Sequence, residues 1–116
     1  MKKVVVTVQE GIEKITDTGV FRKLLLLPEN VGIKTCEMGI LMLHPGQEWG
    51  YPDHHHPDEE AYFVLEGKGL QIIDDEEYQI EKYMAIYMPP NSVHITKNTA
   101  NEPLWVLYVR TPEQYR

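Results

Sequence analysis

The stretch Asp53-His54-His55-His56-Pro57-Asp58-Glu59-Glu60 concentrates imidazoles and carboxylates, and His94 adds another imidazole about forty residues later. On an extended strand, side chains two apart share a face, so His54 and His56 point one way and His55 the other. A turn at Pro57-Asp58-Glu59 returns the chain. On the following strand Glu60, Tyr62 and Val64 share one face, with Ala61, Phe63 and Leu65 opposite. A hairpin of that form sets Glu60 beside the His54/His56 pair. Two imidazoles and a carboxylate are a borderline donor set suited to Fe, Mn, Ni, Zn or Cu. His94 follows the Pro89-Pro90-Asn91 turn and is the natural third imidazole. A neutral imidazole on an inward face is costly without a partner, and metal ligation supplies one. The competing reading is a solvated, histidine-rich turn. A purification tag would sit at a terminus, whereas this cluster is internal. Tyr62 shares the Glu60 face and is the candidate catalytic group beside a substrate, or else a structural tyrosine with its hydroxyl at the rim.

The elements that must position these groups read as strands. No long segment carries a 3.6-residue apolar period. Short β-branched and aromatic runs occur at Val4–Val8, Phe21–Leu27, Ile33–Leu43, Tyr51–His56, Ala61–Glu66, Gly69–Ile73, Tyr78–Ile80, Met84–Met88, Ser92–Asn98 and Leu104–Arg110. Turn residues separate them at Pro45-Gly46, Gly67, Asp74-Asp75, Pro89-Pro90-Asn91 and Asn101-Glu102-Pro103. Many short strands at such spacing predict an all-β antiparallel sandwich or barrel. Met38, Ile40 and Met42 alternate along one strand, as do Met84, Ile86 and Met88, and both sets read as barrel filling or an apolar ligand lining. Trp49 and Tyr51 are placed at the barrel entrance as a possible lid, and Trp105 in the core or at a dimer interface. The acidic run Asp74–Glu77 reads as a solvated hairpin tip, since it lacks the ligand pattern of a calcium loop. Gly67-Lys68-Gly69 reads as a hairpin turn and not a phosphate cradle.

Composition sets the outer limits. The chain has 116 residues, 42% hydrophobic and 25% charged, which predicts a single globular domain spanning 1–116. With 11 basic against 18 acidic residues the net charge is -7, which argues against nucleic acid or an anionic membrane as partner. No apolar run approaches the ~20 residues of a membrane helix. Cys36 is the single cysteine and reads as a small buried hydrophobe. The opening Met1-Lys2-Lys3 and valine run stop too soon for a signal peptide, so the expectation is a cytoplasmic protein.

Taken together, these residues resemble the cupin family, in particular small single-domain bacterial cupins of the conserved-barrel, RmlC-like type. The family's first motif reads Gly, five residues, His-x-His, three or four residues, Glu, six residues, Gly; His54, His56, Glu60 and Gly67 fall in that register. The second reads Gly, five residues, Pro-x-Gly, two residues, His, three residues, Asn; Pro89, His94 and Asn98 match it. Glu48 stands at the first motif's opening Gly, Tyr83 at the second's, and Asn91 at the Gly after Pro-x. Asn tolerates a left-handed turn; Tyr83 and Glu48 leave the loop geometry in question, not the ligands.

The resemblance implies an antiparallel jelly-roll β-barrel holding one divalent transition metal per chain (Fe, Mn, Ni or Zn) on His54, His56, Glu60 and His94. His55 matches a non-ligand position. It further implies a metal-dependent enzyme on a small organic substrate: a dioxygenase, an isomerase or epimerase, a decarboxylase or a polyketide cyclase. The alternative is a non-catalytic module that binds or senses a sugar or other metabolite. A homodimer formed through the edge made by the N-terminal valine strand is expected.

Overall fold

The computed structural model describes residues 3–50 and 57–111. Among the described residues, ten strands form two facing antiparallel sheets. They are β1 Ile12–Ile15, β2 Phe21–Leu26, β3 Glu37–Leu43, β4 Glu48–Gly50, β5 Glu60–Glu66, β6 Lys68–Ile73, β7 Glu76–Glu81, β8 Ala85–Met88, β9 His94–Lys97 and β10 Leu104–Arg110. One sheet runs β1-β2-β3-β10-β5-β8 and the other β4-β9-β6-β7. Every pairing is antiparallel, which is the jelly-roll arrangement.

Alternation along the strands sets what faces inward. On β5, Glu60, Tyr62 and Val64 are buried while Phe63 and Leu65 are exposed. Val20, Leu41, Leu43, Val64, Leu104 and Val106 pack almost wholly out of water between the sheets. Burying a side chain of this size is worth about 1.5–3 kcal/mol each, so this layer is the main apolar support of the barrel.

Several local expectations change. Val4–Val8 is not a strand. Residues 3–7 are irregular and Val8–Glu10 forms a short helical turn, held by the Thr7 amide donating to Glu10 Oε1 at 2.8 Å. One edge of the larger sheet is instead β1, whose four residues are all exposed, and the other is β8. The expected strand Ile33–Leu43 begins only at Glu37, and one helical turn, α1 Pro28–Val31, lies in the connection before it. Pro28 at its start and left-handed Gly32 at its end are the usual signals for that. Met38, Ile40 and Met42 do not fill the barrel. Pairing of β3 with β10 aligns Gly39 with Tyr108 and Leu41 with Val106, so Glu37, Gly39, Leu41 and Leu43 take the inner face. Ile86 and Met88 do line the interior, but Met84 is exposed. Trp105 pairs with Met42 in register and meets Phe21 edge-on at 6.1 Å, on the outer face. The acidic run is a hairpin tip as expected. Asp74 and Asp75 are the two-residue turn between β6 and β7, with φ of 47° and 71°.

Candidate metal and ligand site

The inner face of the larger sheet carries an ordered set of polar rows near one end. Register across β3, β10 and β5 aligns Glu37, Arg110 and Glu60 in one row, continued by Met88 on β8. Two residues deeper lies Gly39-Tyr108-Tyr62-Ile86. The next row is apolar: Leu41, Val106 and Val64.

Across the interior, β9 begins with His94, buried like Glu60. His94 Nε2 stands 3.6 Å from Glu60 Oε1, so the two sheets bring these donors together. Several contacts fix His94. Asn91 takes a left-handed φ of 64°, and the Ser92 hydroxyl donates to the Pro89 carbonyl at 2.7 Å. The Val93 amide donates to Asp74 Oδ1 at 2.9 Å. Gly50 closes in from β4; a Cβ there would meet the His94 carbonyl at 2.3 Å, so this approach requires glycine. Asn98 has a structural role. Its amide nitrogen donates to the carbonyls of Leu43 at 2.9 Å and Glu102 at 2.7 Å.

The donor geometry fits a divalent ion. Two N/O ligands about 2.1 Å from one metal stand about 3.4 Å apart at a tetrahedral angle. The observed 3.6 Å therefore lets one ion reach both with a shift of a few tenths of an ångström. His54 and His56, the other two expected ligands, and His55 and Tyr51 lie outside the described residues. Among the described residues no group of three metal-binding side chains assembles.

Tyr62 is where the sequence places it, one row below Glu60 and buried. Its hydroxyl is in the interior and not at the rim. Burial pushes its pKa well above the usual 10.0, and the Glu60 carboxylate adds to the rise. At neutral pH it holds its proton and can only donate or relay a hydrogen bond. Facing it, Thr96 donates to Gln71 Oε1 at 2.7 Å, and Gln71 Nε2 donates to Met88 Sδ at 3.8 Å.

Sequence reasoning missed four polar residues here. Arg110 Nε donates to Glu37 Oε1 at 2.5 Å, forming an almost buried pair. Burial works to lower the Arg110 pKa, but the bond to Glu37 and the nearby Glu60 charge raise it overall. The Arg110 guanidinium also lies 5.5 Å from the Tyr108 ring centre. Arg22, two residues from core Leu24, places its guanidinium 4.9 Å from the ring centre of Trp49. Trp49 packs on the core under this cation. Charges at inward strand positions, Arg22, Glu37 and Arg110, were the available signal.

Comparisons with known proteins agree with this architecture. A solved structure of a predicted oxalate decarboxylase from Thermotoga maritima superposes with a TM-score of 0.81 at 22% identity, over 94% of this chain and 99% of that one. An uncharacterized protein of Methanocaldococcus jannaschii is 40% identical over 58 residues, 50% of this chain and 46% of its own. The tetracenomycin polyketide synthase protein TcmJ of Streptomyces glaucescens is 28% identical over 89 residues, 76% of this chain and 58% of its own. The chain thus spans only about half the length of these two relatives. The model of the Cupin domain matches residues 39–110, from the middle of β3 to the end of β10 and so across both motifs, and the chain belongs to the cupin family.

Proposed function

We propose that this cupin is a metal-dependent enzyme acting on a small organic molecule, with one divalent transition ion held by His54, His56, Glu60 and His94. The observation that carries the reading is the buried Glu60–His94 contact at 3.6 Å, made between two sheets at the polar end of the barrel. When bound, the ion would supply Lewis acidity and a template for a chelating substrate. The chain's own residues would do the rest. Tyr62 stays protonated beside Glu60 and can hand a hydrogen bond to a substrate oxygen. The Glu37–Arg110 pair fixes the row that holds Glu60. Similarity to TcmJ favours a polyketide-type or other oxygen-rich substrate over a simple hydrocarbon. We place the whole chain, 1–116, in one domain that works in the cytoplasm. Two copies would pair through the edge that β1 provides, where Ile12 and Ile15 lie exposed.

The test is metal stoichiometry in protein purified without a tag or nickel resin. One divalent ion per chain in the wild type, lost in both Glu60→Gln and His94→Ala, is the expected result. Equal metal content in wild type and both variants overturns the reading. Sedimentation as a monomer at micromolar concentration overturns the pairing.

A further inference from the structure

We infer that Arg22 and Tyr108 form a subsite for the carboxylate of a small organic acid, on the floor of the site proposed above. The inference deepens that reading by naming a substrate class.

Among the described residues two guanidiniums reach the barrel interior, and their situations differ. Arg110 is matched to Glu37 through a 2.5 Å hydrogen bond, with Glu60 beside it. Arg22 makes no ion pair with any described residue, and its buried Nε has no hydrogen-bond acceptor among them. Its contact is the face of Trp49, which holds the cation in place but satisfies none of its N–H donors. A buried donor without an acceptor is costly, and a ligand oxygen would remove that cost.

Tyr108 supplies the second donor. Its hydroxyl is buried and has no hydrogen-bond partner among the described residues. The ring lies over β3 because Gly39 leaves room; a Cβ at Gly39 would meet Tyr108 Oη at 2.7 Å. Burial raises the pKa of this hydroxyl, with Arg110 and Arg22 pulling it down and the Glu37 and Glu60 carboxylates adding to the rise. Arg22 pairs with Leu41, two residues along the same face from the Gly39 that Tyr108 covers, so an orphan phenol O–H and an unmatched guanidinium face one region in the two rows below Glu60. That is the donor arrangement an oxyanion takes up.

The charge count favours a carboxylate. On the inner face Glu37 and Glu60 equal Arg110 and Arg22 in number, but Glu37 is bonded to Arg110 and Glu60 stands against His94, so Arg22 is the cation without a carboxylate contact among the described residues. A monoanion suits one such cation better than a phosphate dianion, which the Glu60 carboxylate would repel.

The experiment is calorimetric titration of the full-length protein with acetate, malonate, lactate and benzoate, each against its amide, and with inorganic phosphate. Metal-supplemented and chelator-treated protein are both titrated, and Trp49 emission is followed in a Trp105→Phe background. At least one carboxylate should bind and change Trp49 emission. Arg22→Gln should weaken it about 10- to 100-fold, with Arg22→Lys in between and the amide unchanged. Tyr108→Phe, which keeps the ring, should weaken it about 3- to 10-fold. No carboxylate binding by the wild type, or binding that is indifferent to both substitutions, overturns the subsite. Phosphate binding tighter than every carboxylate overturns the choice of substrate class. Arg22-dependent binding by a protein that takes up no metal supports the subsite while refuting the metal reading.

Discussion

The Glu37–Arg110 pair allows a quantitative test of what holds the polar end of the barrel. The side chains are 7% and 15% exposed and meet across β3 and β10, at directly opposed positions. Breaking a buried pair from one side costs about 3–5 kcal/mol, because the remaining charge stays desolvated. In Glu37→Gln, Arg110 keeps some solvent contact and Glu60 as a second counter-charge, which places the expected loss nearer 2–3 kcal/mol. With a urea slope of about 1.5 kcal/mol/M, the midpoint should fall by roughly 1.3–2 M. Arg110→Met should cost at least as much, since it leaves Glu37 buried without its cation. The double replacement Glu37→Leu/Arg110→Met removes both desolvation costs and should recover most of the loss. Urea unfolding of the four proteins decides the matter. A midpoint shift under about 0.3 M for Glu37→Gln, or a double variant as unstable as the summed singles, would refute the account.

Three further outcomes follow from the same geometry. Gly39→Ala should destabilise by about 1–3 kcal/mol and move the Tyr108 ring, because a Cβ would lie 2.5 Å from the Lys23 carbonyl and 2.7 Å from Tyr108 Oη. Unchanged urea midpoint and near-ultraviolet dichroism would contradict it. Tyr62 has its folded pKa raised above the unfolded value, so its contribution to stability is complete below about pH 10 and is lost as pH rises beyond that. Absorbance titration should show one phenol ionising only with unfolding, and that phenol should be missing in Tyr62→Phe; a freely titrating Tyr62 in folded protein refutes the burial argument. Metal affinity should fall as pH drops below about 6, because ligation needs neutral imidazole. Affinity that stays constant from about pH 7.5 to 5 would exclude histidine ligands.

The strand pattern was readable because period-2 alternation and turn residues are local properties. Phe21–Leu26, Glu60–Glu66, Lys68–Ile73 and Leu104–Arg110 all fall within a residue or so of the expected runs. The motif glycines were readable in a less obvious way. Tyr83 and Asn91 replace two of them, yet both keep positive φ, 74° and 64°. The backbone keeps the left-handed turn even with a tyrosine that strains it by about 1–2 kcal/mol. What escaped was non-local. Apolar runs cannot show which face of β3 turns inward: Met38, Ile40 and Met42 read as filling, whereas register puts Gly39 and Leu41 inside. Val4–Val8 has strand propensity but no partner strand among the described residues, and propensity without pairing does not make a sheet. The Glu37–Arg110–Glu60 row joins residues 73 and 50 positions apart in the chain, and neither separation leaves a trace in composition.

The distribution of these rows also explains how a small barrel can tolerate so many interior charges. Leu41, Val106 and Val64, then Leu43 and Leu104, fill successive layers away from the Glu60 row. Truncating one such leucine to alanine typically costs 2–5 kcal/mol, a scale comparable to the whole stability of a domain of about this size. The apolar layers therefore carry the fold, while Arg22, level with Leu41, and Tyr108, one row nearer Glu60, retain donors unmatched among the described residues. Those donors lower stability in the ligand-free protein, because each is desolvated without a compensating bond. Replacing Arg22 with methionine should then leave thermal stability unchanged or raise it. A loss above about 2 kcal/mol would mean that the Trp49 contact, and not ligand recognition, accounts for the half-buried arginine.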